Sequence, residues 1–170
     1  YVPYTARLDY LATHLSVMGY VQAVEKLADI EVPERAEYIR VIMGELSRIA
    51  SHQLCIGSMA IDIGATTGLL YCMRDRERIM DMFEMTSGQR LLSSYMCIGG
   101  IAEELPEEFF PAVHSFLQDL PSMIKEYEGL LFGNEILQAR LKGIGKLSAQ
   151  DALSYGVTGP NLRACGVNYD

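Results

Sequence analysis

From Pro33 onward the apolar residues fall at helical intervals. Ile39, Ile42, Met43, Leu46, Ile49 and Ala50 follow i, i+3, i+4 spacing, which places them on one stripe of a 3.6-residue turn. No convincing strand alternation competes with it anywhere in the chain, so the pattern predicts helices packed on helices. Pro33 stands where a first turn tolerates a missing N–H, and Glu34 follows where a carboxylate suits the positive helix end. The stripe predicts one long helix running on towards Ile63, with Gly64 as its stop.

The stretch LCIGSMAIDIGATTGLLYCM, Leu54 to Met73, has the length of a bilayer span. Its one charge, Asp62, is central, and its glycines and threonines weaken a continuous helix. A buried helix, broken near Gly64, is the expected form. Asp62 must then be paired, hydrogen-bonded or turned to a cavity.

The other elements read the same way. Tyr4 to Leu27 carries Leu8, Leu11, Leu15, Met18, Val21 and Val24 at helical spacing. RDRERIMDMFEMTSG, Arg74 to Gly88, predicts a helix with a solvated, salt-bridged face built from Arg74, Arg78, Asp75, Glu77 and Asp81. Gly99 and Gly100 predict a loop. A long helix is expected from Pro106 to Leu131, with Pro111 in its first turns and Pro121 kinking or interrupting it. Ser148 and Asp151 form a capping box for a short helix that ends at Gly156. GVTGPNLRACGVNYD predicts an ordered loop. The fold class is all-α, a helical bundle with long helices, organised as a single helical domain over residues 1–170.

Apolar residues make up 49% of the 170, and 14 basic against 22 acidic side chains leave a net charge of −8. No basic run stands out, which argues against nucleic acid or anionic lipid as direct partners. Cys55, Cys72, Cys97 and Cys165 form no CxxC pair and predict reduced, cytoplasmic thiols. His52 and Cys55 share a helical face, yet one such pair does not make a metal site, and no metal is expected on this chain. The sequence opens on Tyr1, shows no leader peptide and closes in mid-phrase on Asp170, so we expect an internal fragment of a longer polypeptide.

Phosphate loops, nucleophile elbows and HExxH motifs do not occur. His14, His52 and His114 are far apart and read as structural. What remains is the Arg7-Asp9-Tyr10 cluster and Asp62. On one helix, Leu54, Ser58 and Asp62 would lie four residues apart on a single stripe, apolar, then hydroxyl, then carboxylate. Such a stripe fits a polar headgroup on a greasy tail. It also fits close helix packing at Ser58 and a cap at Asp62.

Several phrases, in order, resemble one family. ARLDYLATHL is similar to a DRLDY segment of the quinone-site subunit of respiratory complex I, NADH:quinone oxidoreductase (the 49-kDa subunit). AVEKL, PERAEYIRVIMGELSRIASH, AIDIGATT, RDRERIMDMFE, SGQR, IGGIAEELPEEF and GPNLRACGVNYD continue the resemblance across nearly the whole chain. The resemblance implies a fold related to the [NiFe] hydrogenase large subunit. It implies Tyr10 as the quinone-headgroup tyrosine, and Asp62 as the aspartate that orients a histidine outside this chain. Ser58 would be a cavity hydroxyl and Leu54 a quinone-binding wall. Quinone would be the substrate, NADH would be used by another subunit, and an iron–sulfur cluster would sit in the adjacent small iron–sulfur subunit. Partners would be that subunit, other peripheral-arm subunits and the membrane arm. The location would be peripheral, on the cytoplasmic side of the cell inner membrane.

Two positions depart from the family pattern. Leu92 stands where a histidine commonly follows the SGxR arginine, and Cys97 where an arginine commonly precedes the paired glycines. A hydrogenase site is a rival reading, but the places of its first cysteine pair hold Asp9 and Ala12, which cannot replace thiolates on nickel. Related ferredoxin-linked complexes and a non-catalytic helical scaffold are the remaining alternatives.

Overall fold

The computed structural model describes residues 1–169. Two compact units divide the chain, one from Tyr1 to Asn134 and one from Glu135 onward. The first holds α1 (Val2–Thr5), α2 (Thr13–Ala28), α3 (Glu34–Asp62), α4 (Thr66–Ser87), β1 (Met96–Cys97), β2 (Gly100–Ile101) and α5 (Phe109–Tyr127), closed by a π-turn at Glu128–Phe132. The second holds α6 (Glu135–Leu141), α7 (Ala149–Ser154) and α8 (Gly159–Ala164). The all-helical expectation holds, with one small hairpin added.

The long helix α3 is bounded as its sequence predicts. Pro33 is its N-cap, Glu34 and Glu37 sit in its first turn, and the stop falls at Ile63 and Gly64. There the N–H of Ala65 reaches the carbonyl of Ala60 and that of Gly64 reaches Ile61, a Schellman ending that needs the left-handed Gly64 at φ +88°. The apolar stretch after Leu54 therefore splits into the end of α3 and the start of α4. Among the described residues no helix is long and apolar enough to cross a membrane.

α3 and α4 pack antiparallel as the spine of the first unit, and Gly57 lets them approach. A Cβ there would lie 2.8 Å from Leu69 Cδ1 and 3.2 Å from Leu69 Cα. Against this pair lie α2, through Val17 and Val21, and α5, through Phe116 and Met123, all buried with Met43, Leu46, Ile79 and Met82. A buried ion pair ties the ends together. Arg40 of α3 meets Glu25 of α2 through two bonds of 3.0 and 2.6 Å and also donates to the carbonyls of Cys97 and Gly100. Glu25 in turn accepts the N–H of Gly99 at 2.8 Å.

Several expectations are corrected. The loop expected at Gly99 and Gly100 is part of a two-stranded hairpin: Gly99 lies in its turn, while Gly100 pairs with Cys97 and Ile101 with Met96. Arg40 and Glu25, distant in sequence, hold it there. The helix expected from Tyr4 is broken over residues 6–12. Pro121 does not interrupt α5; it lies on the exposed side of the helix, one turn after the half-exposed Leu117, where a missing N–H is least costly. The helix changes instead at the π-turn, where Gly133 N bonds to Glu128 O. The final loop contains α8, with Pro160 in its first turn. The Ser148–Asp151 capping box forms as read, with the Asp151 N–H donating to Ser148 Oγ at 3.0 Å.

Candidate functional site

The segment carrying Tyr10 is shaped by its own polar groups. Asp9 Oδ1 accepts the backbone N–H groups of Leu11 and Ala12, each at 3.3 Å, and Arg7 Nη1 donates to Pro3 O at 2.5 Å. A carboxylate that satisfies the next amides offers the chain an alternative to the helix ladder. The helix breaks there, and Tyr10 is left 64% exposed.

Tyr10 borders a narrow cleft lined further in by His14, Ser47, Arg76, Leu92 and Ser93. Its free space is about 10 Å³, room for one water-sized group. His14 is buried on its wall. Its Nε2 pairs with Ser93 Oγ at 2.8 Å, and its ring centre lies 4.4 Å from that of Phe83. Nδ1 has no partner among the described residues. Burial pushes its pKa down to about 4, so the ring is neutral at pH 7. Arg76 is 7% exposed, and its Nε donates a hydrogen bond to Ala50 O at 3.3 Å. Desolvation lowers its pKa, the nearby Glu77 carboxylate opposes that in part, and the Arg90 charge adds to it. Arg90 itself is gripped from α4 by Asp81 at 2.8 Å, Glu84 at 3.3 Å and Glu77. These bonds fix the segment on which Leu92 adopts φ +59°.

The other candidates lie along α3. Leu54 is half-buried, while Ser58 and Asp62 are exposed on the same stripe. Asp62 is the last residue of α3, where the negative end of the helix dipole disfavours a carboxylate. It is exposed to solvent and makes no ion pair among the described residues. The structure brings Leu54, Ser58 and Asp62 into line. No hydrogen bond among the described residues joins Tyr10 to that line.

The face of α4 expected to be solvated is only partly so. Arg74 and Arg78 do make exposed pairs, with Glu126 and Asp119. Asp75 and Arg76 are buried. Asp75 accepts the Tyr127 hydroxyl at 2.6 Å and the Arg74 guanidinium, and Gln53 Nε2 donates to Tyr127 Oη at 3.4 Å. Burial, then the Asp75 contact, holds the Tyr127 hydroxyl above its ordinary range. The sequence carries a signal for this: Cys72, Asp75, Arg76, Ile79, Met80 and Phe83 share one helical stripe.

Cys55, Cys72, Cys97 and Cys165 are free thiols. Among the described residues no three His, Cys, Asp or Glu side chains gather to hold a metal ion.

Comparison with known proteins places this chain in a family. The model of the respiratory-chain NADH dehydrogenase 49 Kd subunit matches residues 62–170. The NADH-quinone oxidoreductase D subunit of Clostridium beijerinckii is 57% identical over all 170 residues, and that of Desulforamulus reducens 58% over 169. The second such D subunit of Rhizobium etli is 49% identical over 168 residues. The chain spans about half the length of these relatives, 46% of the first two and 42% of the third. Matched by the family model over most of its residues and by these relatives from end to end, the chain belongs to the family of the respiratory-chain NADH dehydrogenase 49 Kd subunit.

Proposed function

We propose that these residues are an internal helical stretch of a quinone-reducing subunit in a proton-pumping NADH:quinone oxidoreductase. The observation that carries the reading is the end-to-end likeness to proteins named as D subunits of NADH-quinone oxidoreductase. Its residue-level support is the accessibility of Tyr10, Ser58 and Asp62, each exposed where a ligand or a neighbouring chain can reach it.

In this reading quinone takes up two electrons and two protons to become quinol. An iron–sulfur cluster in the adjacent small iron–sulfur subunit would supply the electrons, and NADH would be oxidised on a further subunit. The four dispersed cysteines of this chain give no basis for a cluster of its own. Tyr10 donates a hydrogen bond, and then a proton, to a quinone oxygen. Leu54 supplies apolar wall and Ser58 a hydroxyl. Asp62 holds a histidine from outside these 170 residues in the tautomer and charge state that protonates the other oxygen. The redox chemistry belongs to the quinone and the cluster, while these side chains bind, orient and protonate. The assembly has its membrane arm as a further partner, and this subunit is peripheral to it on the cytoplasmic side of the cell inner membrane.

The test is inhibitor-sensitive quinone reduction by the intact parent complex carrying Tyr10→Phe. Reduction of an artificial acceptor upstream serves as the control. Quinone reduction is expected to fall on the order of 10-fold or more, with the upstream rate unchanged. An unchanged rate and an unchanged apparent quinone affinity would make Tyr10 a structural residue and send the electrons elsewhere.

A further inference from the structure

We propose that Arg76 is one half of an ion pair whose carboxylate half comes from outside these 170 residues, and that the cleft beside Tyr10 is where it enters. Arg35, Arg40, Arg48, Arg74, Arg78 and Arg90 each meet a carboxylate. Arg76 is far more buried than most of them, and among the described residues its one hydrogen bond goes to the Ala50 carbonyl. A guanidinium stays charged even when burial opposes it, and a largely buried charge with no carboxylate in contact is costly to hold.

Acids are not scarce, since the chain has 22 against 14 bases. Those nearest along α4 are already engaged. Asp75 is held by Arg74 and Tyr127, and Glu77, Asp81 and Glu84 by Arg90. Glu77 acts on Arg76 through space without touching it, while Arg90, which Glu77 does touch, adds a second positive charge near Arg76.

His14 supplies an independent sign. It lines the same cleft, is 2% exposed, and leaves Nδ1 unpartnered. If Ser93 Oγ donates to Nε2, Nδ1 carries the proton of the neutral ring and is a second buried donor without an acceptor. A space of about 10 Å³ admits one oxygen atom and not a ring. The occupant that satisfies charge, donors and size together is one carboxylate oxygen on a protein side chain. Its backbone would pack over the surface at Tyr10 and Leu92. The inference rests on the preceding reading only in expecting an assembled complex, and it involves no quinone.

The experiment uses the intact parent complex. A density map at Arg76 is expected to show a carboxylate oxygen, from a residue outside the 170, at hydrogen-bond distance from the guanidinium. Which chain carries it tells a continuation of the same polypeptide from a neighbouring subunit. Water alone or an inorganic anion in that place overturns the proposal. A double-mutant cycle then tests coupling, with Arg76→Gln, the matching acid changed to its amide, and both together. Each single change is expected to lower the yield of intact complex at a fixed denaturant concentration about 10-fold, and the double change no further. Losses that multiply overturn the pairing. Arg76→Lys, which keeps the charge, is expected to retain most of the yield, and a loss equal to that of Arg76→Gln would overturn the electrostatic role. Tyr10→Phe on the same preparations separates the two readings, since an inert Tyr10→Phe leaves the ion pair standing.

Discussion

At the scale of residues, the side chains that matter most for stability here are polar groups taken out of water. His14 shows the consequence for pH. Its folded-state pKa is about 4 against an ordinary 6.5, because burial opposes the imidazolium. Between those values the unfolded chain binds a proton that the folded chain refuses. Its contribution to stability is therefore complete above pH 6.5 and is lost as pH falls towards 4, by about 3 kcal/mol. His14→Met should flatten the acid side of the stability profile, measured as urea midpoints at pH 7 and pH 4.5. Parallel profiles for the two proteins would mean that the buried ring is not what titrates. Reading His14 as a structural histidine captures its burial and not its unpartnered Nδ1. That feature depends on Ser93, 79 residues away, and on Phe83. Tyr10 is legible as a candidate from its neighbours in sequence.

At the scale of elements, periodicity is a good guide wherever burial follows from local spacing. α3, the break near Gly64 and the cap at Ser148 all fall where the pattern puts them, since each is decided by residues within a turn or two. The failures are long-range or competitive. The β1–β2 hairpin is held by Arg40 and Glu25, and the early helix break comes from Asp9 competing for backbone amides. The α3–α4 crossing supplies a prediction of its own. Leu69 Cα would stand 3.2 Å from a Cβ at Gly57, and backbone cannot rotate aside as a side chain can. Gly57→Ala should therefore destabilise the folded chain by roughly 1–3 kcal/mol despite the better helix propensity of alanine. Gly19, with nothing within 4 Å of the place a methyl group would take, is the control, and Gly19→Ala should be neutral or stabilising. Equal denaturation midpoints for the two variants would mean that α3 and α4 do not pack as closely as described.

At the scale of the whole molecule, the surface is more apolar than the charge balance requires. A net charge of −8 favours solubility. Yet Tyr4, Leu8, Tyr10, Leu27 and Leu70 in the first unit are each more than 60% exposed, as are Ile136, Ile144 and Tyr155 in the second. Isolated exposed apolar residues are ordinary. Tyr4, Leu8 and Tyr10 belong to one short segment, with Tyr1 and Tyr4 ring centres 6.4 Å apart, and contiguous apolar surface is characteristic of interfaces. A chain that spans 46% of its relatives' length has ample polypeptide elsewhere in such proteins to cover that segment. The 170-residue chain alone should therefore bind an environment-sensitive apolar dye while its circular dichroism stays helical, and Leu8→Ser should reduce the bound dye without lowering helicity. A folded, monomeric chain that binds no dye would mean that this surface is complete as it stands. A large interface at Tyr4, Leu8 and Tyr10 would then be ruled out, whatever the fate of the quinone reading.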